Sequence, residues 1–162
     1  NYSGEPKELF VKSIEYRKHP VKLVFRDTLG AEQFGQRTGM WFQKLSTCVF
    51  VYDVTNQHSV DNLEEWLSEL TRFGPKRGAI PKVLCGNKCD LPKTVSLESV
   101  RRLEREHQMQ SFEISANNCG QLLGMLQEIV QPAIAEALLQ RKEARKTVTW
   151  SVDANEKRCV VC

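Results

Sequence analysis

The chain has 162 residues, a formal net charge of +3 and 27% charged side chains, which suits one domain with a tail and gives no electrostatic case for nucleic acid as a partner. No apolar run approaches the roughly 18–20 residues that span a bilayer, and no secretory signal is visible. The six cysteines (48, 85, 89, 119, 159 and 162) lack the dense spacing of a secreted disulfide scaffold, so a soluble intracellular domain with reduced thiols is expected.

In chain order, Leu9–Tyr16 and Val21–Arg26 read as a hairpin with Lys18-His19-Pro20 near its turn. Gly30–Lys44 reads as loop and short helix, and Thr47–Asp53 as a strand. Ser59–Arg72 places Val60, Leu63, Leu67 and Leu70 at helical spacing and stops before Gly74-Pro75. Pro81–Gly86 is an apolar strand; Cys85 within it, like Cys48 before it, reads as a core thiol. Ser96 caps a helix that runs to about His107, with Glu98 in its first turn. Ser111–Ile114 is a short strand, and Gln121 to about Arg141 is a long helix that Pro132 kinks or breaks. Residues 142–158 lose apolar periodicity and read as a flexible linker, which divides the chain into a domain, 1–141, and a tail, 142–162. Strands alternating with helices predict an α/β fold with a mostly parallel sheet covered on both faces. Trp66 reads as packing, and His19, His58 and His107 as solvent-facing. Cys85 and Cys89 lack the second pair that a zinc site needs.

Three strand ends carry chemistry. Gly86-Asn87-Lys88-Cys89-Asp90-Leu91 follows the strand Pro81–Cys85 and offers an amide, an ammonium and a carboxylate. Guanine suits that set: a carboxylate accepts from N1–H and the exocyclic amine together, an amide ties the loop to the base, and a lysine stem lies along the ring. Asp27-Thr28-Leu29-Gly30 follows the strand Val21–Arg26. Its carboxylate suits a metal-bound water, and its glycine admits a terminal phosphate close to the backbone. Glu113-Ile114-Ser115-Ala116 follows the third strand and would bring a backbone N–H to the base carbonyl. Ligands of open α/β sheets bind at such carboxyl ends.

With these residues in place the sequence resembles the Rab branch of the Ras superfamily of small GTPases. Asp27-Thr28-Leu29-Gly30-Ala31-Glu32-Gln33-Phe34 is similar to the family's D-T-A-G-Q-E-R-F, and Val51-Tyr52-Asp53-Val54-Thr55-Asn56 matches its V-Y-D-V-T-N. Ser59 to Trp66 and Gly86 to Leu91 follow the same pattern, and the likeness covers roughly residues 4–140. It implies a Rossmann-like three-layer GTPase fold binding GTP or GDP with Mg²⁺. Asp27, Gly30, Asn87, Lys88, Asp90, Ser115, Ala116 and Asn117 would hold the nucleotide, and Asp27 the metal through water. It further implies effectors and exchange or activating factors as partners. These would bind around Ser3–Lys7 and Gly30–Phe42, where Trp41 and Phe42 are either an effector-facing patch or core. The implied setting is vesicle traffic on the cytoplasmic face of an intracellular membrane, Golgi or endosomal, with a cytosolic pool.

Departures from the pattern qualify this. The glutamine that orients the attacking water falls at Ala31, whose methyl cannot do so, which predicts weak hydrolysis. A non-hydrolysing, GTPase-like interaction protein is the alternative. Arg26, Leu29 and Asn117 replace the usual tryptophan, alanine and lysine, and the magnesium-binding threonine should fall near Ser3 or Gly4. The G-x-x-x-x-G-K-[ST] phosphate loop and the strand before it are not found in this sequence. The expectation is a chain that lacks its N-terminal segment, or else a truncated or phosphate-loop-free regulator. On this reading the 162 residues alone do not bind GTP tightly, and strands flanking the position of that first strand have unpaired backbone groups. At the other end, Cys159-Val160-Val161-Cys162 is a C-a-a-X pattern behind Lys157 and Arg158. It predicts lipidation of Cys159, with Cys162 a second candidate, by the prenylation machinery; an unmodified or metal-binding pair is the alternative.

Overall fold

The computed structural model describes residues 9–26, 42, 45–75, 80–147 and 158–161. Strands β1 (Leu9–Tyr16) and β2 (His19–Arg26) pair antiparallel, with Tyr16 opposite His19. The turn is Arg17-Lys18, both in the left-handed region at φ 48° and 62°. A two-residue hairpin with positive φ at both positions matches the twist of its strands. Lys18-His19-Pro20 thus lies at the turn, as expected, and Pro20 is tolerated because it lies beside the strand start.

Strands β3 (Cys48–Asp53), β4 (Lys82–Asn87) and β5 (Gln110–Glu113) form a parallel sheet in the order β3-β4-β5. In the central strand four consecutive residues, Val83 to Gly86, are buried, as a strand covered on both faces requires. Between β3 and β4 lie α1 (Gln57–Asp61) and α2 (Leu63–Phe73) where one helix was expected. They meet at Asn62, whose backbone stays helical (φ −68°, ψ −16°). The apolar phase therefore runs through the junction, and Val60, Leu63, Leu67 and Leu70 are all buried. Glu64 and Glu65 in the first turn of α2 and Arg72 in its last oppose the helix dipole. Gly74 closes the helix by donating its N–H to Leu70 O at 2.7 Å.

Helix α3 (Leu97–His107) buries Val100 and Leu103 and ends at Gln108 in the left-handed region, φ 53°. Ser96 stands at its N-cap position, but its hydroxyl makes no capping bond; its N–H donates to Gln57 Oε1 at 2.8 Å. Helix α4 runs unbroken from Cys119 to Thr147 with Pro132 inside it. It passes the boundary drawn at 141, so 142–147 are helical rather than linker. Strand β6 (Arg158–Val161) then pairs parallel with β2, Cys159 lying opposite Leu23.

The result is three layers. On one face, α1, α2 and α3 pack Val60, Leu67 and Leu103 on Val24, Phe50, Tyr52 and Leu84. On the other, α4 packs Met125 and Ile129 on Val83 and Cys85, and Val130, Ala133 and Ile134 on Val21 and Leu23. Both cores draw on β2 and on β3, so one layer of strands lies between two layers of helices. No ladder joins β2 to β3: the strands fall into β1-β2-β6 and β3-β4-β5. One edge of β2 is taken by β6, whereas β3 has no strand on its side away from β4 among the described residues.

Candidate functional site

The carboxyl ends of β3, β4 and β5 lie side by side, and the loops that leave them are tied together through backbone groups. Val54 N–H donates to Asn87 O at 3.1 Å, joining the end of β3 to that of β4. Ile114 N–H donates to Gly86 O at 2.9 Å and Cys89 N–H to Ile114 O at 3.1 Å, joining β4 to β5. Gly86 is required where it stands: a Cβ there would lie 2.7 Å from Tyr52 Oη and 3.0 Å from Val54 Cγ1.

Asn87 is the hub. Its Oδ1 accepts from Lys88 N at 2.8 Å and from Ala116 N at 3.0 Å. One side chain thus pins its own loop, where Lys88 is left-handed at φ 65°, to the loop after β5. With both bonds made through oxygen, the two amide hydrogens of Asn87 remain as its donors. Ser115 is buried at 4% exposure; its N–H donates to Gln121 Oε1 at 2.9 Å and its O accepts from Asn118 N at 2.8 Å. Its Oγ accepts from Asn117 N at 3.3 Å. Asp90 is exposed and forms no ion pair among the described residues.

A further carboxylate belongs to this cluster. Asp53, at the end of β3, has its Oδ2 at 2.5 Å from Lys88 Nζ. Its Oδ1 accepts from Thr55 N at 2.9 Å and from Thr55 Oγ1 at 2.7 Å. The Lys88 ammonium foremost, then the Thr55 bonds, hold its pKa down at about 2. Burial instead pushes Tyr52 up to about 12, helped by the charge of Glu113, and Cys85 up to about 11.

A family model of the Ras family matches residues 6–135. The chain belongs to the Ras family, as a Rab-type small GTPase. It is 34% identical over 110 residues to the Ras-related protein RIC1 of Oryza sativa subsp. japonica, covering 67% of this chain and 54% of that protein. Over 110 residues it is 30% identical to Ras-related protein Rab-13 of Rattus norvegicus, covering 67% and 53%. Over 108 residues it is 33% identical to Ras-related protein Rab-10 of Diplobatis ommata, covering 65% and 53%. The chain spans about half the length of the curated relatives it matches.

In this Rab-type domain the fold brings together Asn87, Lys88, Asp90, Ser115, Ala116 and Asn117. Asp27, Gly30, Ala31 and Cys162 lie outside the described residues, as do Ser3, Gln33 and Trp41; Cys159 lies in β6. Within the segment expected to bring a backbone N–H to a base carbonyl, the Ala116 N–H is engaged by Asn87. Phe42, one of two aromatic residues left between patch and core, is buried at 3% exposure. Trp66 packs on the core, as expected. Cys48 and Cys85 are buried and neither is in a disulfide. His107 is half-buried with Nε2 at 3.5 Å from Glu64, so it faces an acidic side chain rather than open solvent. Among the described residues no helix is long and apolar enough to cross a membrane.

Sequence reasoning missed Asp53 and Gln121. Asp53 stood in the quoted run Val51–Asn56, and its signal was that of Asp27, a carboxylate at a strand end. Gln121 gave none: it is a polar residue in the first turn of a helix, and only the fold shows it reaching back to Ser115.

Proposed function

We propose that this Rab-type chain supplies the guanine-recognising part of a nucleotide-dependent switch in vesicle traffic. The observation behind this reading is a pinned loop beside an exposed acid: Asn87 fixes two backbones while Asp90 stays exposed and forms no ion pair among the described residues. Asp90 would accept from guanine N1–H and the exocyclic amine, and the Asn87 amide would donate to the base. Asp27 and Gly30 would meet Mg²⁺, through water, and the terminal phosphate. GTP would order the segments near Ser3–Lys7 and Gly30–Phe42, and effectors, exchange factors and activating factors would read them. A lipid on Cys159, and a second on Cys162, would hold the protein on the cytoplasmic face of a Golgi or endosomal membrane.

Equilibrium binding of labelled GDP and XDP to the protein expressed from its own gene tests the base site. Asp90→Asn replaces an acceptor with a donor on one side, so guanine affinity falls by about 10-fold or more and xanthine is preferred. An unchanged preference would remove Asp90 from the site.

Ala31 favours a second reading, a protein that binds guanine nucleotide but scarcely hydrolyses it. Ala31→Gln is expected to raise single-turnover hydrolysis by about tenfold or more, because the amide can orient water. Rapid hydrolysis before mutation would mean that another group, such as Gln33, does so.

A further inference from the structure

Asp53 and Lys88 are 35 residues apart in sequence, and each partner of their contact is also held by other hydrogen bonds. On one side, Thr55 occupies Asp53 Oδ1 with its N–H and its hydroxyl, and Asp53 N–H donates to Ser59 Oγ at 2.9 Å. The carboxylate is thereby oriented with Oδ2 left for the ammonium. On the other side, Lys88 is held left-handed by the bond from its N–H to Asn87 Oδ1. Such conformations persist in a non-glycine residue where the surroundings over-determine them.

The pair is not placed to stabilise the fold strongly. The Lys88 side chain is 51% exposed, and exposed ion pairs contribute little. Its position relative to Asp90 is more telling. Lys88 lies two residues before Asp90 in the same loop, and a flexible ammonium so near would pair with that carboxylate and occupy the acceptors that guanine needs. Asp53 is ionised throughout the physiological range, since its pKa is held at about 2. It therefore competes for the ammonium at every relevant pH.

We infer that Asp53 is a positioning residue of the guanine site: by anchoring the Lys88 ammonium at the end of β3, it aims the lysine stem and keeps the Asp90 carboxylate free for the base. The inference rests on the guanine-site reading above. It assigns to the strand end before α1 a role in base recognition that operates through Lys88 alone.

A double-mutant cycle tests it on the protein expressed from its own gene, with dissociation of a fluorescent GDP as the readout. Asp53→Asn keeps an acceptor for Thr55 and removes the charge. It is expected to speed dissociation by about three- to tenfold while the melting temperature stays within a few degrees. Lys88→Met, which keeps the stem and removes the ammonium, is expected to leave Asp53→Asn without further effect in the double variant. The same pair is read with fluorescent IDP, whose base lacks the exocyclic amine. Discrimination between GDP and IDP should shrink in Asp53→Asn, because the freed ammonium then occupies Asp90. Effects of Asp53→Asn and Lys88→Met that simply multiply, or an Asp53→Asn protein with unchanged dissociation, would overturn the positioning role and leave the base site standing. A wild-type protein that binds no guanine nucleotide would overturn the base site and this inference with it.

Discussion

Asp53 shows how much one side chain at a strand end can be asked to do. It accepts the Thr55 N–H and hydroxyl and the Lys88 ammonium, while its backbone N–H goes to Ser59. The Lys88 ammonium and the Thr55 bonds lower its pKa from the ordinary 3.8 to about 2, so the folded state favours the ionised form. A lowered carboxyl pKa contributes stability that is present above the unfolded value and lost as pH falls through the folded one. Asp53→Asn should therefore be less stable than the wild type at pH 7, with the gap closing between about 3.8 and about 2. Urea unfolding at a series of pH values measures it; a gap that stays constant down to pH 2 would detach the effect from this carboxyl. The sequence displayed Asp53 openly and hid its partner. Nothing local links residues 53 and 88, and only the parallel register, with Asp53 opposite Asn87, brings them together.

At the scale of elements, β1 to β4 were legible because each carries a run of apolar residues, and β4 most of all. Its burial on both faces leaves Gly86 pressed against Tyr52 of β3 and Val54 just beyond it. Gly86→Ala should cost about 1–3 kcal/mol through overpacking, read as a lower urea midpoint at unchanged slope. A loss below about 0.5 kcal/mol would mean that Tyr52 moves aside freely. What could not be read was where helical phase and helical bonding part company. Val60, Leu63, Leu67 and Leu70 keep one apolar stripe across Asn62, so spacing alone predicts a single helix. Likewise the polar run after Arg141 carries no core signal, yet the helix continues to Thr147 because backbone bonding propagates beyond the buried face. The site was legible to the extent that its residues cluster in two short loops. The engagement of Ala116 N–H by Asn87 was not, since an Asn side chain's partner is set by tertiary placement.

For the whole molecule the layers followed from the alternation of strands and helices, and the strand grouping did not. Arg158–Val161 has the composition of a lipid-acceptor tail, and as a parallel strand on β2 it joins residues from opposite ends of the sequence. The lipid proposal has its own measurement. Cys159→Ser should move the protein from the membrane to the cytosolic fraction, and Cys162→Ser less so unless both are modified, because one prenyl chain attaches only marginally. An unmodified intact mass and unchanged fractionation would end it. The ladder adds a consequence. Residues Arg158 to Val161 lie in register with Lys22 to Phe25, and a backbone held in that zipper cannot also run out to a bilayer. Departure of the tail for the membrane would unzip it and strip β2 of a neighbour, leaving a raw sheet margin that other chains could join. Those amides of Lys22 to Phe25 that face β6 rather than β1 would then act as a gauge of where the tail is: slow to exchange with solvent deuterons while it is docked, fast once lipid has drawn it away.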